Sequence, residues 1–251
     1  MGIARLDLAY HGGRFAGWET QAGQRTVQAA LESALEQILG EPVALTVAGR
    51  TDAGVHATGQ VASFEYSGKL PDSLANRLNG VLPRDIAVTA AAPDGDDFDA
   101  RRSALARVYR YRVLASPVRD PFEQGRALWW RYPLDLGAMK QAAAAVVGKH
   151  DLTAFTPTRS AHSIFERNID ACSWEAEPRR PAVAGATMLV LSVEAPAFMR
   201  SQVRVMVGTM LEVGGGRRSL DDFRSLLEGA PRERAGDTAP AHGLCLVGVR
   251  Y

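Results

Sequence analysis

The stretch Gly49-Arg50-Thr51-Asp52-Ala53-Gly54-Val55-His56 decides how the fold of this chain is interpreted. It places one carboxylate, that of Asp52, in a loop made tight by two glycines. Apolar, strand-like residues lie before the loop at 43–47 and after it at 60–64, so the pattern predicts a strand–loop–strand unit. A lone carboxylate at such a turn can serve as a covalent nucleophile. It can also be a solvated turn residue paired with Arg50, because Asp and Gly are ordinary turn residues.

The elements around this loop follow one another in the order βαββαβ, which is the ferredoxin-like arrangement. Alternating apolar residues predict the strands, and a Thr cap and a terminal Gly bound the first helix. The predicted elements are a strand at 3–10, a helix from Thr26 to Gly40, strands at 43–48 and 60–66, a helix capped by Asp72, and a strand near 85–91.

A second, similar series follows a linker predicted at 91–99. Its predicted elements are a strand carrying Tyr109, Tyr111 and Val113, a helix at 136–147, strands near 165–175 and 186–194, helices at 198–213 and 219–228, and a last strand at 243–251. We therefore expect an α+β fold of two ferredoxin-like domains, 1–103 and 104–251. Their antiparallel sheets are expected to join, with the active site in the cleft between them.

The bulk composition excludes several classes of protein. No apolar run among the 251 residues approaches the ~20 that a membrane span needs, and the N-terminal residues lack the apolar core of a signal peptide. The histidines show no metal-ligand spacing, and the two cysteines, Cys172 and Cys245, are predicted to be small core residues. We predict a soluble cytoplasmic protein without metal or nucleotide cofactor. A net charge of +1 means that a nucleic-acid site would have to concentrate its basic residues in a patch.

Arginine and tyrosine alternate along the strand that opens the second series. Tyr109 and Tyr111 are interleaved with basic residues and no acidic ones; the arginines are Arg101, Arg102, Arg107, Arg110 and Arg112. One interpretation is a phosphate-binding edge with an aromatic ring on which a base can stack. The other is an amphipathic strand with a buried tyrosine face and a solvated arginine face.

Three further features have two interpretations each. Arg200 and Arg204 share a helix face near an apolar stripe, so Arg204 either points toward packed structure or extends to solvent from the edge of the stripe. The run Gly214–Arg218 could grip phosphate but is better explained as a helix end. His56 could shuttle protons, although a loop-ordering or RNA-contacting role fits its position better.

Several of these segments resemble the TruA family of tRNA pseudouridine synthases. Residues 48–56 resemble the catalytic segment of that family, in which the Asp is the nucleophile. The segment 106–111 resembles the R-x-Y-x-Y strand, whose first tyrosine corresponds to Tyr109, and 198–204 resembles the C-terminal active-site helix, whose catalytic arginine corresponds to Arg204. Further matches lie at 10–18, 26–28, 98–101 and 151–155.

The resemblance implies a reaction and a role for each residue. Asp52 attacks either C1′ of the ribose or C6 of the uracil, and Arg204 pairs with it and keeps it ionised. Tyr109 packs on the flipped uracil, and Arg50 fills the space that the base leaves. The implied substrate is the anticodon arm of tRNA, positions 38–40 on its 3′ side, bound by a homodimer without a cofactor.

The chain departs from the family pattern at several positions, among them His11, Thr20, Asp99 and Arg200. Two other functions are compatible with the same scaffold. One is a non-catalytic protein that binds or folds structured RNA, and the other is a synthase that acts on another RNA. A glycoside hydrolase is disfavoured, because that reaction needs two facing carboxylates and only Asp52 stands in a motif.

Overall fold

The computed structural model describes residues 1–158, 164–177 and 185–251. Within these ranges the protein is a mixed α+β structure with a large mixed sheet and few helices. Its internal contacts define two compact units, Met1–Arg107 with Cys245–Tyr251, and Val108–Leu244. The predicted division between 103 and 104 lies near the first of these boundaries, but the end of the chain groups with the first unit.

The first unit contains the strand–loop–strand motif. Its elements are β1 (Gly2–Tyr10), α1 (Val27–Leu39), β2 (Thr46–Val47), β3 (His56–Tyr66), α2 (Leu74–Val81) and β4 (Ile86–Asp94). β1 lies antiparallel between β4 and β3, and β2 pairs antiparallel with β3. The order is therefore β4-β1-β3-β2, which places the loop between β2 and β3 at one end of the sheet.

Helix α1 begins and ends where the sequence predicts. The Thr26 hydroxyl accepts a hydrogen bond from the amide of Ala29, and Gly40 ends the helix in the left-handed region at φ 80°. Leu31 and Leu35 are fully buried, which confirms the predicted apolar face. The predicted cap of α2 at Asp72 is wrong, because Ser73 adopts a left-handed conformation and the helix begins after it.

The predicted linker at 91–99 is wrong in its first part. β4 continues to Asp94 because its backbone keeps pairing with β1 as far as Ile3. Pro93 is compatible with this strand because β4 is at the edge of the sheet, where a missing amide breaks no ladder.

The second unit is built around a buried helix. Its elements are β5 (Ala106–Ala115, starting at the boundary), β6 (Leu128–Trp130), α3 (Leu136–Ala145), β7 (Gly148–Asp151), β8 (Glu166–Ile169), β9 (Ala171–Glu177), β10 (Thr187–Ala195), α4 (Gln202–Gly214) and α5 (Leu220–Ser225). The strand order is β5-β10-β9, with β6 parallel to β5, and β7 and β8 form a separate pair. α4 is buried on most of its surface, so it forms the core against which α3 packs. The sequence did not predict β6 or β7.

The last strand, β11 (Leu244–Arg250), explains why the end of the chain groups with the first unit. It pairs in parallel with β3, with Cys245 opposite His56 and Leu246 opposite Ala57. β2 pairs with β3 farther along, at Ala62 and Ser63. No helix in the described part of the chain is long and apolar enough to cross a membrane.

Candidate active site

The loop between β2 and β3 holds Asp52 in a defined turn. Asp52 is half-buried and follows the buried Thr51, and its carbonyl accepts a hydrogen bond from the amide of Val55 at 3.1 Å. Gly54, between them, has φ 80°, a conformation that favours glycine. The local sequence therefore fixes the backbone on which the carboxylate is mounted.

Buried polar side chains tie this loop to the sheet below it. The amide of Gln60 donates to the Tyr10 hydroxyl at 3.2 Å and to the carbonyl of Gly49 at 2.8 Å. The Tyr10 hydroxyl can then donate to the Thr51 hydroxyl, 2.8 Å away. Burial raises the pKa of Tyr10 to about 12, so the phenol keeps its proton at neutral pH. Nothing in the sequence pattern identified Gln60, whose partners are distant along the chain.

The glycine-rich loop after β1 supports the Asp52 loop from another side. The amide of Trp18 donates to the carbonyl of Thr51 at 3.0 Å, and the amide of Gly54 donates to the carbonyl of Phe15 at 3.2 Å. The two loops are so close that a Cβ at position 12 would lie 1.9 Å from the carbonyl oxygen of Val55. Gly12 is therefore required by this close approach.

His56 links the same two loops through its side chain. The ring is buried, and its Nδ1 accepts a hydrogen bond from the backbone amide of Gly12 at 3.0 Å. The ring of His11 packs on it with 4.4 Å between centroids. Of the roles considered for His56, loop ordering is the one that this geometry supports.

We expect His56→Ala to destabilise the protein by about 1–3 kcal/mol, because it leaves the buried amide of Gly12 without its acceptor. Turnover should fall as well, since the loop that carries Asp52 loses a tether. His56→Asn should restore part of both losses, because the Asn carbonyl can accept from the same amide. Urea unfolding and a turnover assay check this. Equal losses of stability and turnover in the Ala and Asn variants would show that the hydrogen bond from Gly12 does not cause them.

Arg50 lies at the exposed rim of the loop. It forms an ion pair with Glu19 at 3.0 Å, with 61% of the Arg and 51% of the Glu side chain exposed. Such exposed pairs contribute roughly 0–1 kcal/mol, so the pair leaves the guanidinium available to an incoming phosphate. The sequence did not predict Glu19 as the partner of Arg50.

The arginines near β5 fall into two groups. Arg107 is 8% exposed, and its guanidinium donates to the carbonyls of Ala48, Arg101 and Ala104 at 2.7–3.1 Å. Arg107 therefore braces the start of the Asp52 loop and cannot belong to a phosphate-binding edge. Arg110 and Arg112 lie on the opposite face of the strand and pair with acidic residues, Glu177 and Glu123. At Arg110 and Arg112 the structure favours the amphipathic strand over the phosphate-binding edge. Arg107 fits neither interpretation, because it is buried on the same face of the strand as the tyrosines.

Tyr109 and Tyr111 occupy the buried face of β5. Tyr109 is 8% exposed, and its ring packs edge-on against Phe198 with 5.3 Å between centroids. Tyr111 is completely buried and its hydroxyl donates to the carbonyl of Pro240 at 2.8 Å. The prediction that Tyr111 supports the core is confirmed.

Arg204 lies in the first turn of α4 and is half-buried. Its Nε donates to the carbonyl of Ala239 at 2.8 Å, and the amide of Ala239 donates back to the carbonyl of Arg204 at 3.1 Å. Burial, together with the nearby charge of Arg204, lowers the pKa of His242. The guanidinium is therefore held in place by its Nε and acts electrostatically on a neighbouring ring. Of the two interpretations, the one that points Arg204 toward packed structure fits.

Two of the residues that depart from the family pattern, His11 and Asp99, make local contacts that explain them. His11 packs on His56, as described above. Asp99 caps a turn, since its carboxylate accepts from the amides of Arg101 and Arg102 at 2.8 and 2.7 Å. Thr20 and Arg200 are exposed, and nothing in the structure explains their identity.

The remaining reactive groups that the structure describes include the possible metal ligands and the two cysteines. Within the described ranges, no group of three or more His, Cys, Asp or Glu side chains could hold a metal ion. Cys172 is buried as predicted, and burial raises the pKa of its thiol to about 12, so it is inert. Cys245 is half-buried.

Comparisons with known proteins agree with these observations. A family model described as "tRNA pseudouridine synthase" matches residues 8–101 and 142–251. The protein named tRNA pseudouridine synthase A from Frankia casuarinae is 45% identical over 98% of this chain and 88% of its own length. Proteins of the same name from Gloeobacter violaceus and Syntrophotalea carbinolica are 42% and 40% identical, over 98% and 100% of this chain and 79% and 97% of their own lengths.

Proposed function

The chain belongs to the tRNA pseudouridine synthase family, and we propose that the carboxylate of Asp52 is the nucleophile of the reaction. The protein is an isomerase that converts uridine to pseudouridine in tRNA. The observation that supports Asp52 as the nucleophile is the way in which its loop is held. Hydrogen bonds from β1, β3 and the glycine-rich loop hold the backbone of this loop in place. A turn that merely faced solvent would not need these bonds.

The reaction breaks the bond between N1 and C1′ and joins C5 to C1′, while C5 loses a proton and N1 gains one. Because atoms and electrons balance within one nucleotide, no activated donor or external reductant takes part. Asp52 attacks either C1′ or C6, forming a covalent bond that is broken again when the isomer is released. The base must leave the stack to be reached, so we expect it to flip.

Three other side chains are assigned supporting roles. Arg204 favours the ionised form of the nucleophile and stabilises charge that develops on the nucleotide. Tyr109 provides the ring on which the flipped uracil packs, and its edge contact with Phe198 holds that ring in one orientation. Arg50 exchanges Glu19 for the RNA backbone and fills the space that the base leaves.

We expect Arg204→Ala to lower kcat by about 10²–10³-fold, the usual loss when a preorganised charged donor is removed. The variant should keep a cooperative unfolding transition, because the side chain is only half-buried. Arg204→Lys should retain more activity than Ala. Arg200→Ala is the matched control, since Arg200 is exposed four residues earlier and should leave kcat unchanged at saturating tRNA. Loss of the unfolding transition in Arg204→Ala would indicate a structural role instead.

The proposal also covers the fold of the first unit, the oligomeric state and the cellular location. The β4-β1-β3-β2 order of the first unit supports the ferredoxin-like assignment for that unit. We propose that the enzyme acts as a homodimer and that it works in the cytoplasm, where tRNA is processed.

The target within tRNA is proposed to be the anticodon arm at positions 38–40. Pseudouridine mapping in tRNA from cells that lack the gene tests this. Pseudouridine should disappear at 38–40 and return when the gene is restored. Loss at another tRNA position, with 38–40 intact, would overturn the assignment of the target and leave the reaction class unchanged.

A further inference from the structure

The second unit carries a surface group of aromatic and basic side chains outside the proposed site, in which Trp130 is half-buried and the other three members are exposed. It is formed by Trp130, Arg131, Tyr132 and Arg217, and we call it the Tyr132 surface. The rings of Trp130 and Tyr132 meet edge-on, with 6.4 Å between centroids. Arg131 lies over the Tyr132 ring at 5.6 Å and Arg217 over the Trp130 ring at 5.9 Å. Tyr132 is 64% exposed, and both arginines are exposed as well.

Two segments that are distant in sequence are fixed together to form this surface. The amide of Asp135 donates to the carbonyl of Gly214 at 2.8 Å, which ties the chain after β6 to the end of α4. A Cβ at Gly214 would lie 2.6 Å from the Met139 side chain, so the helix end packs directly against α3. The glycine run does end α4, as predicted. It also places Arg217 over the ring of Trp130.

The arginines of the surface differ from their neighbour Arg218 in what they bind. Arg218 is held by Glu212, by Asp222 and by the carbonyl of Arg234, so its charge is used within the fold. In the described part of the chain no carboxylate forms an ion pair with Arg131 or Arg217. The nearest acidic residue in sequence to Arg131, Asp135, caps α3. Among the described residues, these two positive charges contact aromatic rings.

The Tyr132 surface is remote from the catalytic end of its own unit. Arg204 lies in the first turn of α4, whereas Arg217 follows the last turn, and a helix of 13 residues is about 20 Å long. A group at that distance cannot touch the reacting uridine. It can reach RNA several nucleotides away.

We propose that the Tyr132 surface is a second tRNA-binding site, which holds phosphates with Arg131 and Arg217 and stacks an unpaired base on Tyr132. The inference rests on the proposed function in that it takes tRNA as the ligand. Guanidinium groups suit phosphates, and exposed aromatic rings suit bases. Self-association fits less well, because a two-fold contact centred on this surface would place Arg131 and Arg217 against their own copies.

The test measures binding of unmodified tRNA across a salt series, with the full-length protein. For Arg131→Gln with Arg217→Gln we expect affinity to fall at least tenfold near physiological salt. The slope of log Kd against log salt should shrink by roughly 1–2, because each lost phosphate contact removes about 0.7–0.9. Tyr132→Ala should weaken binding about tenfold without changing the slope, since stacking releases no counterions. kcat at saturating tRNA should stay unchanged in both variants.

Arg224→Gln is the matched control, because Arg224 is an exposed arginine of the same unit that already pairs with Asp221. It should leave both affinity and slope as in wild type. Wild-type slope and affinity in the double Gln variant would overturn the proposal. A change of sedimentation mass without a change of slope would also overturn it, because the surface would then be an interface between copies. Failure of the proposed function is separate, since it would appear as wild-type protein that binds tRNA but forms no pseudouridine.

Discussion

Asp52→Asn should reduce pseudouridine formation by at least about 10⁴-fold, the scale of loss when a reaction loses its covalent group. The substitution removes the negative charge and the nucleophilic oxygen, and it keeps the size of the side chain. The affinity for tRNA should stay within roughly tenfold of wild type, because no phosphate contact is removed. Single-turnover rates and equilibrium binding on the same unmodified tRNA measure the two quantities separately.

Asp96→Asn is the control for this result, since Asp96 is an exposed carboxylate in a turn of the same unit. It should match wild type in rate and in affinity. Substantial activity in Asp52→Asn would show that Asp52 is not the nucleophile. A large loss of affinity would instead assign Asp52 to RNA binding.

Arg107→Met should destabilise the protein by at least about 3 kcal/mol, because three backbone carbonyls lose a donor and each unsatisfied buried group costs about 1–3 kcal/mol. The guanidinium satisfies the carbonyls of Ala48, Arg101 and Ala104, and methionine leaves all three without that donor. Because Ala48 begins the Asp52 loop, activity should fall even at temperatures at which the variant remains folded. Urea unfolding with a parallel turnover assay measures both effects.

Arg110→Met is the matched control, as it changes the same residue type three positions along the same strand. Arg110 is half-exposed and its nitrogen lies 3.8 Å from the Glu177 carboxylate. Arg110→Met should lower the free energy of unfolding by less than about 1 kcal/mol. Similar, small losses in the two variants would show that Arg107 is not a brace of the loop.

Local sequence signals predicted the elements whose determinants are close together in the chain. Helix α1 has its cap, its apolar face and its terminal glycine within residues 26–40, so its bounds follow from the pattern. β2 is shorter than predicted, and β6 was missed, because short strands depend on a partner strand that the local pattern does not name. The cap of α2 was misplaced because Ser73 adopts a conformation that is uncommon for a residue with a side chain.

In the candidate site, too, features set by nearby residues were predicted and those set by distant residues were not. The motif around Asp52 predicted a special loop, yet the residues that hold it, Tyr10, Gln60 and Arg107, contact it across 41, 11 and 59 positions of the chain. A buried arginine and an exposed one look alike in sequence, so the interpretation of β5 required the structure. The rings and arginines of the Tyr132 surface come from segments more than 80 residues apart, which no local pattern connects.

The most direct test of the central claim incubates unmodified tRNA with wild type and with Asp52→Asn, without added cofactor and with EDTA. Pseudouridine is then mapped by carbodiimide-dependent stops of reverse transcription. We expect stops at positions 38–40 with wild type and none with Asp52→Asn. Stops of equal strength with both proteins would contradict this expectation, because the isomerisation would then proceed without the Asp52 carboxylate.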